Sequence, residues 1–318
     1  MQTIRGIDGV PSDFQCCLTM GAFDGIHLGH RRLIARLVEV ARKRNLPSAL
    51  LTFDPHPEQV LRPESAPALL TTLEEKIQLL AATGLDALII APFTAELAQL
   101  SPEEFALRVL GDRLHARALV IGPHLTFGRN GAGHAQTMAE LGKLLGFTVE
   151  ITPSVEIGSR IASSTAIRRL LLTGQVREAN ELLGRPYRLA GTVVTGVGRG
   201  RQLGFPTANI SLTPGKLIPA DGIYAVRADF DHKRYHAAAF IGRPLTFDDV
   251  GRVIEVHLLR AQVELVGRLL AVDFVEYLRP NRAFANAEEL SRQISLDCER
   301  VQALLAALQA KGDVVESP

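Results

Sequence analysis

The chain has no tryptophan, three cysteines in 318 residues, and almost no net charge: 35 lysines and arginines against 34 acidic residues leave +1. Cys16, Cys17 and Cys298 are too few and too unevenly spaced for a disulfide framework or a zinc site, which fits a reducing cytoplasm. Balanced charge gives no electrostatic argument for nucleic acid or an anionic membrane as a partner. No apolar run approaches the ~18 residues of a membrane span, and the opening MQTIRGIDGVPSDF lacks the apolar core of a signal peptide. Aromatics are sparse at 5%, yet hydrophobic residues reach 47%, the composition of an ordinary globular protein. At this length two domains are expected rather than one. There is no internal repeat and no low-complexity tract; the tail from Lys311 to Pro318 is expected to be disordered.

Against that plain background, Gly21 to His30 reads GAFDGIHLGH. It follows the strand-like run Cys17-Leu18-Thr19-Met20 and precedes a helical stripe of Leu33, Ile34, Leu37, Val38 and Ala41. His27 and His30, three apart, would share a helix face. Free amides and the helix dipole favour an anion at that terminus. Gly29 leaves room for a phosphate to come close. A strand–turn–helix of this kind suits binding of a nucleoside triphosphate and attack at its α-phosphate. Standing alone, the histidine pair reads sooner as solvated or capping residues; the surrounding motif reverses that.

The first half alternates strands and helices. Ala49–Phe53, Ala87–Ile90 and Ala118–Ile121 read as buried strands. Ser101-Pro102-Glu103-Glu104 carries a capping box, and a helix over Glu74–Thr83 stops at Gly84. Repeated units of this kind predict a doubly wound parallel sheet covered on both faces, with ligands at the carboxyl ends of strands. His27, His30 and His56 all lie on that side. Ser163, Ser164, Thr165 and Arg168 stand at the start of another helix, Ile167–Leu172, where hydroxyls, amides and a guanidinium suit phosphates; alone, they read as an ordinary N-cap.

From about Pro186 helical periodicity gives way to alternating segments: Leu189–Val194, Tyr224–Phe230, Tyr235–Ile241, Val253–Leu259 and Leu269–Tyr277. Asp231-His232 reads as a hairpin turn. These segments predict a sandwich or barrel, closed by a helix over Asn286–Ala310 bearing Leu290, Ile294, Leu296, Val301, Leu304 and Leu305. The boundary falls near Gly184-Arg185-Pro186, giving domains 1–184 and 185–318. Gly196, Gly198 and Gly200 form a glycine-rich loop able to cradle phosphates, with no helix after it and no Walker sequence. Thr207 and Asn209 alternate to one side of an extended segment, where hydroxyl and amide oxygens suit Mg2+ and a phosphate. In Val253–Leu259, Ile254, Val256 and Leu258 face one way and Glu255 and His257 the other, a pattern that fits a general base or a solvated face. Asp297 and Arg300 on the closing helix could reach the same pocket, and read first as an intrahelical ion pair.

Five segments in order resemble the motifs of the bacterial bifunctional riboflavin kinase/FAD synthetases: GAFDGIHLGH, FDPHP (Phe53–Pro57), SSTAIR (Ser163–Arg168), GRGRQLGFPTANI (Gly198–Ile210) and EVHLL (Glu255–Leu259). The resemblance implies a nucleotidyltransferase-like α/β domain, then a six-stranded all-β Greek-key barrel with its C-terminal helix. It implies phosphorylation of riboflavin to FMN and adenylylation of FMN to FAD, each with ATP and Mg2+. In the first half it assigns catalysis to His27 and His30 and nucleotide contacts to Gly21, Phe23, Asp24, Gly29, His56, Ser163, Ser164, Thr165 and Arg168. In the second it assigns phosphates to Gly196, Gly198, Gly200 and Asn209, Mg2+ to Thr207 and Asn209, and the general base to Glu255. Two loops depart from the family pattern: Gly122-Pro123-His124-Leu125-Thr126-Phe127-Gly128, and Ile241-Gly242-Arg243-Pro244-Leu245-Thr246-Phe247 with arginine and proline shifted by one. Retention of a single activity, flavin binding without turnover, and another nucleotidyltransferase fused to a β-module are the rival readings. A homo-oligomer is left open.

Overall fold

The near-continuous apolar runs of the first half form six parallel strands: β1 (Gln2–Arg5), β2 (Cys16–Met20), β3 (Ser48–Asp54), β4 (Ala87–Pro92), β5 (Ala116–Ile121) and, after two short strands β6 (Thr126–Phe127) and β7 (Gly133–His134), β8 (Thr148–Ile151). The computed structural model describes residues 1–196, 200, 203–243, 252–261 and 263–310. Gly198, the Pro244–Leu245 pair and the tail from Lys311 lie outside the described residues. The sheet order is β1-β4-β3-β2-β5-β8, every pair parallel. Successive strand residues go to opposite faces, so each face packs its own core: Leu18, Leu51, Ile89 and Leu119 on one, Cys17, Leu50, Leu88 and Val120 on the other. The chain runs β2, β3, β4 to one side and then jumps back to place β5 on the other side of β2. That reversal opens a crevice at the carboxyl ends of β2 and β5.

β1 and β8 were not visible as strands in the sequence. Both are edge strands with one or no fully buried residue, so neither presents an apolar run or a clean alternation. The capping box at Ser101 and Glu104 forms as expected, and the helix before Gly84 runs Leu73–Ala81 behind a second capping box at Thr72 and Glu75.

In the second half, after a short ribbon of β9 (Glu156–Ile157) and β10 (Arg160–Ile161), six antiparallel strands close into a barrel. They are β11 (Tyr187–Val194), β12 (Ala208–Leu212), β13 (Gly222–Phe230), β14 (Lys233–Gly242), β15 (Val253–Leu258) and β16 (Leu269–Arg279), in the order β11-β12-β15-β14-β13-β16. Three hairpin-connected strands with the fourth returning beside the first make a Greek key. Tyr187, Tyr224, Val226, Val256, Val272 and Phe274 fill the interior. Asp231 and His232 join β13 to β14 with φ of 50° and 59°, the double positive φ of a two-residue hairpin turn. Arg188 reaches from β11 to Asp273 on β16 and Asp229 on β13, tying three strands across the outer face.

The closing helix spans Ala287–Ala310 with Asn286 capping it through the Glu289 amide. Val301 and Leu305 are buried, whereas Leu296 is exposed and Asp297 takes the buried position beside it. Asp297 does not pair with Arg300. It accepts from Arg279 of β16 at 2.6 Å, and Arg300 donates to the Leu278 carbonyl. A barrel arginine reached the carboxylate that an intrahelical neighbour was expected to hold.

The chain divides into two compact units, the first ending at Ser164 and the second beginning at Thr165. The helices Ser164–Leu172 and Val176–Leu183 therefore belong largely with the barrel, although their sequence periodicity matches the first half. Asn180 shows why: its amide donates to the Phe274 carbonyl and its oxygen accepts from the Tyr187 amide. Val176, Ala179, Leu182 and Leu183 are buried. A fragment starting at Arg185 loses all of these. Each buried large side chain stabilises by about 1.5–3 kcal/mol, so we expect that fragment to melt roughly 10 °C or more below one starting at Ser164. Thermal unfolding followed by circular dichroism compares them; equal midpoints would return the boundary to Gly184.

Candidate active sites

The first site is built on the loop between β2 and the helix Leu28–Arg44, at the crevice opened by the strand reversal. His27 is the N-cap of that helix, and its Nδ1 accepts a hydrogen bond from the His30 amide at 3.3 Å. An accepting Nδ1 places the neutral ring's proton on Nε2, making that atom the donor. The two imidazoles stack with centroids 3.6 Å apart and planes 23° from parallel, and Phe23 lies 4.8 Å from His30. The shared face expected from the spacing is thus present. His56, which follows β3, repeats the arrangement: it caps the short helix Pro57–Leu61, with Nδ1 accepting from Glu58 and Gln59 completing a capping box.

Two residues make contacts within the loop beyond those read from the sequence. Gly29 does not simply clear space for a phosphate. A side chain there would meet the His27 ring at 3.0 Å and the Ala162 carbonyl at 3.1 Å, so the glycine lets the segment before Ser163 lie against the histidine turn. Asp24 is 2% exposed, and its carboxylate accepts from the amides of Leu70 and Thr71 and from the Thr71 hydroxyl. Asp24 so engaged pins the loop. Thr71 returns the favour, its hydroxyl accepting from the Gly25 amide.

Ser164 donates to the Asp24 carbonyl at 2.8 Å, which brings the Ser163–Ser164 segment to this loop. The helix begins at Ser164, earlier than Ile167, and Ser164 and Arg168 are four apart on it. Thr165 is exposed and Arg168 half-buried. Gly21 receives its fold from β3, donating to the Leu51 carbonyl. Across the crevice, the altered loop after β5 exposes Pro123 and His124 while Leu125 packs toward the core beside Phe127.

One residue near this site belongs to no motif in the sequence. Lys76, 6% exposed, donates to the Ala22 carbonyl at 2.7 Å and lies 3.4 Å from the Thr52 hydroxyl. The available signal was a lysine in the apolar stripe of its helix, between Leu73 and Leu80.

The second site lies on the outer face of the barrel. Asn209 of β12 and Glu255 of β15 are direct cross-strand partners, so their side chains stand together on one face. Ile254, Val256 and Leu258 are buried, with Glu255 and His257 half-buried on the opposite face, the alternation read from the sequence. Gly196 approaches Asn209 closely, and Gly200 approaches Thr207. A side chain at Gly196 would run into the Asn209 amide, and one at Gly200 into the Phe205 carbonyl and the Thr207 hydroxyl at 3.0 Å. The Phe205 amide donates to the Gly200 carbonyl at 2.7 Å. His257 supports the same segment: its Nδ1–H donates to the Pro206 carbonyl at 2.8 Å, and its ring meets Phe205 edge-on.

A parallel sheet with paired imidazoles at its switch point, joined to a Greek-key barrel with two glycines set against an asparagine and a threonine beside a glutamate, defines a two-domain nucleotide-dependent transferase. Residues 10–166 match the family model of FAD synthetase, and residues 183–305 match that of riboflavin kinase. The bifunctional riboflavin kinase/FMN adenylyltransferase of Pseudomonas fluorescens is 37% identical over 96% of this chain and 98% of its own length. That of Escherichia coli K12 is 36% identical over 93% and 96%. A crystal structure described as a macrolide-efflux protein from Streptococcus pneumoniae superposes with a TM-score of 0.85 and 31% identity, covering 95% of this chain and 99% of that one. Among the described residues no helix is long and apolar enough to cross a membrane. The chain belongs to the bifunctional riboflavin kinase/FMN adenylyltransferase family.

Proposed function

We propose that the barrel unit transfers the γ-phosphoryl group of ATP to the terminal ribityl hydroxyl of riboflavin, and that the sheet unit transfers the adenylyl group of a second ATP to the FMN formed. In the first reaction Glu255 takes the hydroxyl proton as the oxygen attacks phosphorus and ADP leaves. The observation supporting this is the Asn209–Glu255 cross-strand pair, with Gly196 set against Asn209 and Gly200 against Thr207. Thr207 and Asn209 offer hard oxygen donors beside that carboxylate, a set that fits Mg2+ carried with substrate phosphates. The ion would neutralise charge on the transferring phosphates.

In the second reaction a phosphate oxygen of FMN attacks the α-phosphorus, the bond to the β-phosphate oxygen breaks, and pyrophosphate leaves. No covalent help from the protein is needed, so the residues position and stabilise. His27 and His30 supply donors to the charge that develops on the α-phosphate, and His56, Ser163, Ser164, Thr165 and Arg168 hold the remaining phosphates. Cys16, Cys17 and Cys298 are free thiols, and we place the enzyme in the cytoplasm.

The test is a time course. Pure protein with riboflavin, ATP and Mg2+ is expected to accumulate FMN first and FAD after a lag, with EDTA stopping both. Supplying FMN directly separates the steps. FMN without FAD, or FAD only from added FMN, would leave a single activity. Bound flavin with neither product would leave a binding protein.

A further inference from the structure

The loop that carries the histidine pair is bent sharply. Phe23, Gly25 and Ile26 all have positive φ, at 47°, 85° and 39°, and two of these residues are not glycine. Side-chain-bearing residues hold such angles only where the surroundings impose them. The imposing groups come from one stretch, 70–76. Leu70 and Thr71 grip Asp24, Thr71 grips Gly25, and Lys76 grips the Ala22 carbonyl, which also accepts from the Thr52 hydroxyl at 3.1 Å.

Lys76 differs from the others in bringing a buried charge. A lysine ammonium is costly to bury and is retained only with strong partners. Its partner is a backbone carbonyl of the catalytic loop. A peptide group is planar and trans, so fixing the Ala22 carbonyl on Lys76 fixes the Phe23 N–H in the opposite direction. That N–H donates to no group among the described residues, although Phe23 is only 3% exposed. Buried amides without an acceptor are rare. A charge-assisted bond to the carbonyl also polarises the peptide and strengthens the N–H as a donor.

We propose that Lys76 is a positioning residue for adenylyl transfer: it turns and polarises the Ala22–Phe23 peptide so that the Phe23 N–H meets the developing charge on the nucleotide's reacting phosphate. The inference rests on the first site being the adenylyl-transfer site. It concerns a donor that acts on transition-state charge, so its loss lowers kcat more than it raises KM. The ammonium also titrates. Burial lowers the pKa of Lys76 from the ordinary lysine value, while Asp24 and Asp54, the acidic groups that act on it, raise it in part. Rate should therefore fall on the alkaline side as this group loses its proton, at lower pH than for an exposed lysine.

The experiment measures FAD formation from supplied FMN in the full-length chain for Lys76→Met and Lys76→Arg. Circular dichroism and the rate of FMN formation from riboflavin serve as controls. Lys76→Met is expected to lower kcat roughly ten- to a hundredfold, below the loss of a whole oxyanion donor, with KM for ATP within about twofold. Lys76→Arg, whose guanidinium does not titrate, is expected to recover part of kcat and to abolish the alkaline fall. A folded Lys76→Met protein with the parent kcat would overturn the proposal. If the methionine variant fails to fold, an alkaline fall in Lys76→Arg identical to the parent's overturns it equally. His27→Ala in the same assay separates the two levels: unchanged FAD formation there refutes the site itself, whereas its loss beside a silent Lys76→Met refutes only the lysine.

Discussion

Replacing His27 or His30 with alanine is expected to lower FAD formation about 10²–10³-fold, the usual cost of removing one preorganised donor to a developing oxyanion. FMN formation should continue at the parent rate, since Glu255, Thr207 and Asn209 all belong to the second unit. The stacked rings set the expectation, because each imidazole holds the other within 3.6 Å and the two act as one constellation. The double variant should accordingly lose little more than either single one. His27 needs a further control because it also caps its helix, a role whose loss costs about 0.5–2 kcal/mol. Asparagine caps helices well but has no imidazole Nε2. If His27→Asn makes FAD at the parent rate, the histidine serves the helix and not the reaction. If His27→Asn is as slow as His27→Ala while its melting temperature matches the parent's, the chemistry depends on the ring.

The motif was legible because its elements are. β2 is buried throughout, the helix Leu28–Arg44 buries the five residues of the expected stripe, and the short loop between them leaves few ways to place two histidines. Barrel strands showed equally well wherever alternation was strong, as in β15. What the sequence hid falls into two kinds. Edge strands β1 and β8 make too little buried contact to impose a pattern. Long-range partners were hidden for a different reason: Asp24 finds Leu70 and Thr71, and Asp297 finds Arg279. Nothing in local spacing distinguishes a carboxylate that meets a phosphate from one that meets buried amides far along the chain. Lys76 was the intermediate case. Its place in an apolar helical stripe marked it as unusual, and only the fold could show what it holds.

The unit boundary teaches the same distinction. Helical periodicity runs on to Leu183, so the change of pattern appears at Pro186. Compactness is decided by contacts instead, and Asn180 commits its helix to β16 and to the start of β11. The family matches respect both facts, ending at residue 166 and resuming at 183.

Glu255→Gln is expected to lower FMN formation by roughly 10²–10⁴, the range for loss of a general base, while FAD formation from supplied FMN stays unchanged. The substitution keeps shape and a hydrogen-bonding oxygen but removes the only group at this position able to take a proton near neutral pH. Its setting argues for a proton acceptor rather than a solvated surface residue. Glu255 is half-buried, it faces Asn209 across the ladder, and Gly196 and Gly200 lie against that same asparagine and Thr207. Glycines at close approach to two hard-oxygen side chains make little sense on a face that meets only water. If the carboxylate instead served only to hold Asn209 in place, glutamine would largely substitute for it, and any remaining effect would fall on KM for ATP with little change in kcat. A fall in kcat with KM for ATP within about twofold separates base catalysis from positioning. Riboflavin phosphorylation at the parent rate in Glu255→Gln would remove the residue from the reaction altogether and leave the barrel without a base.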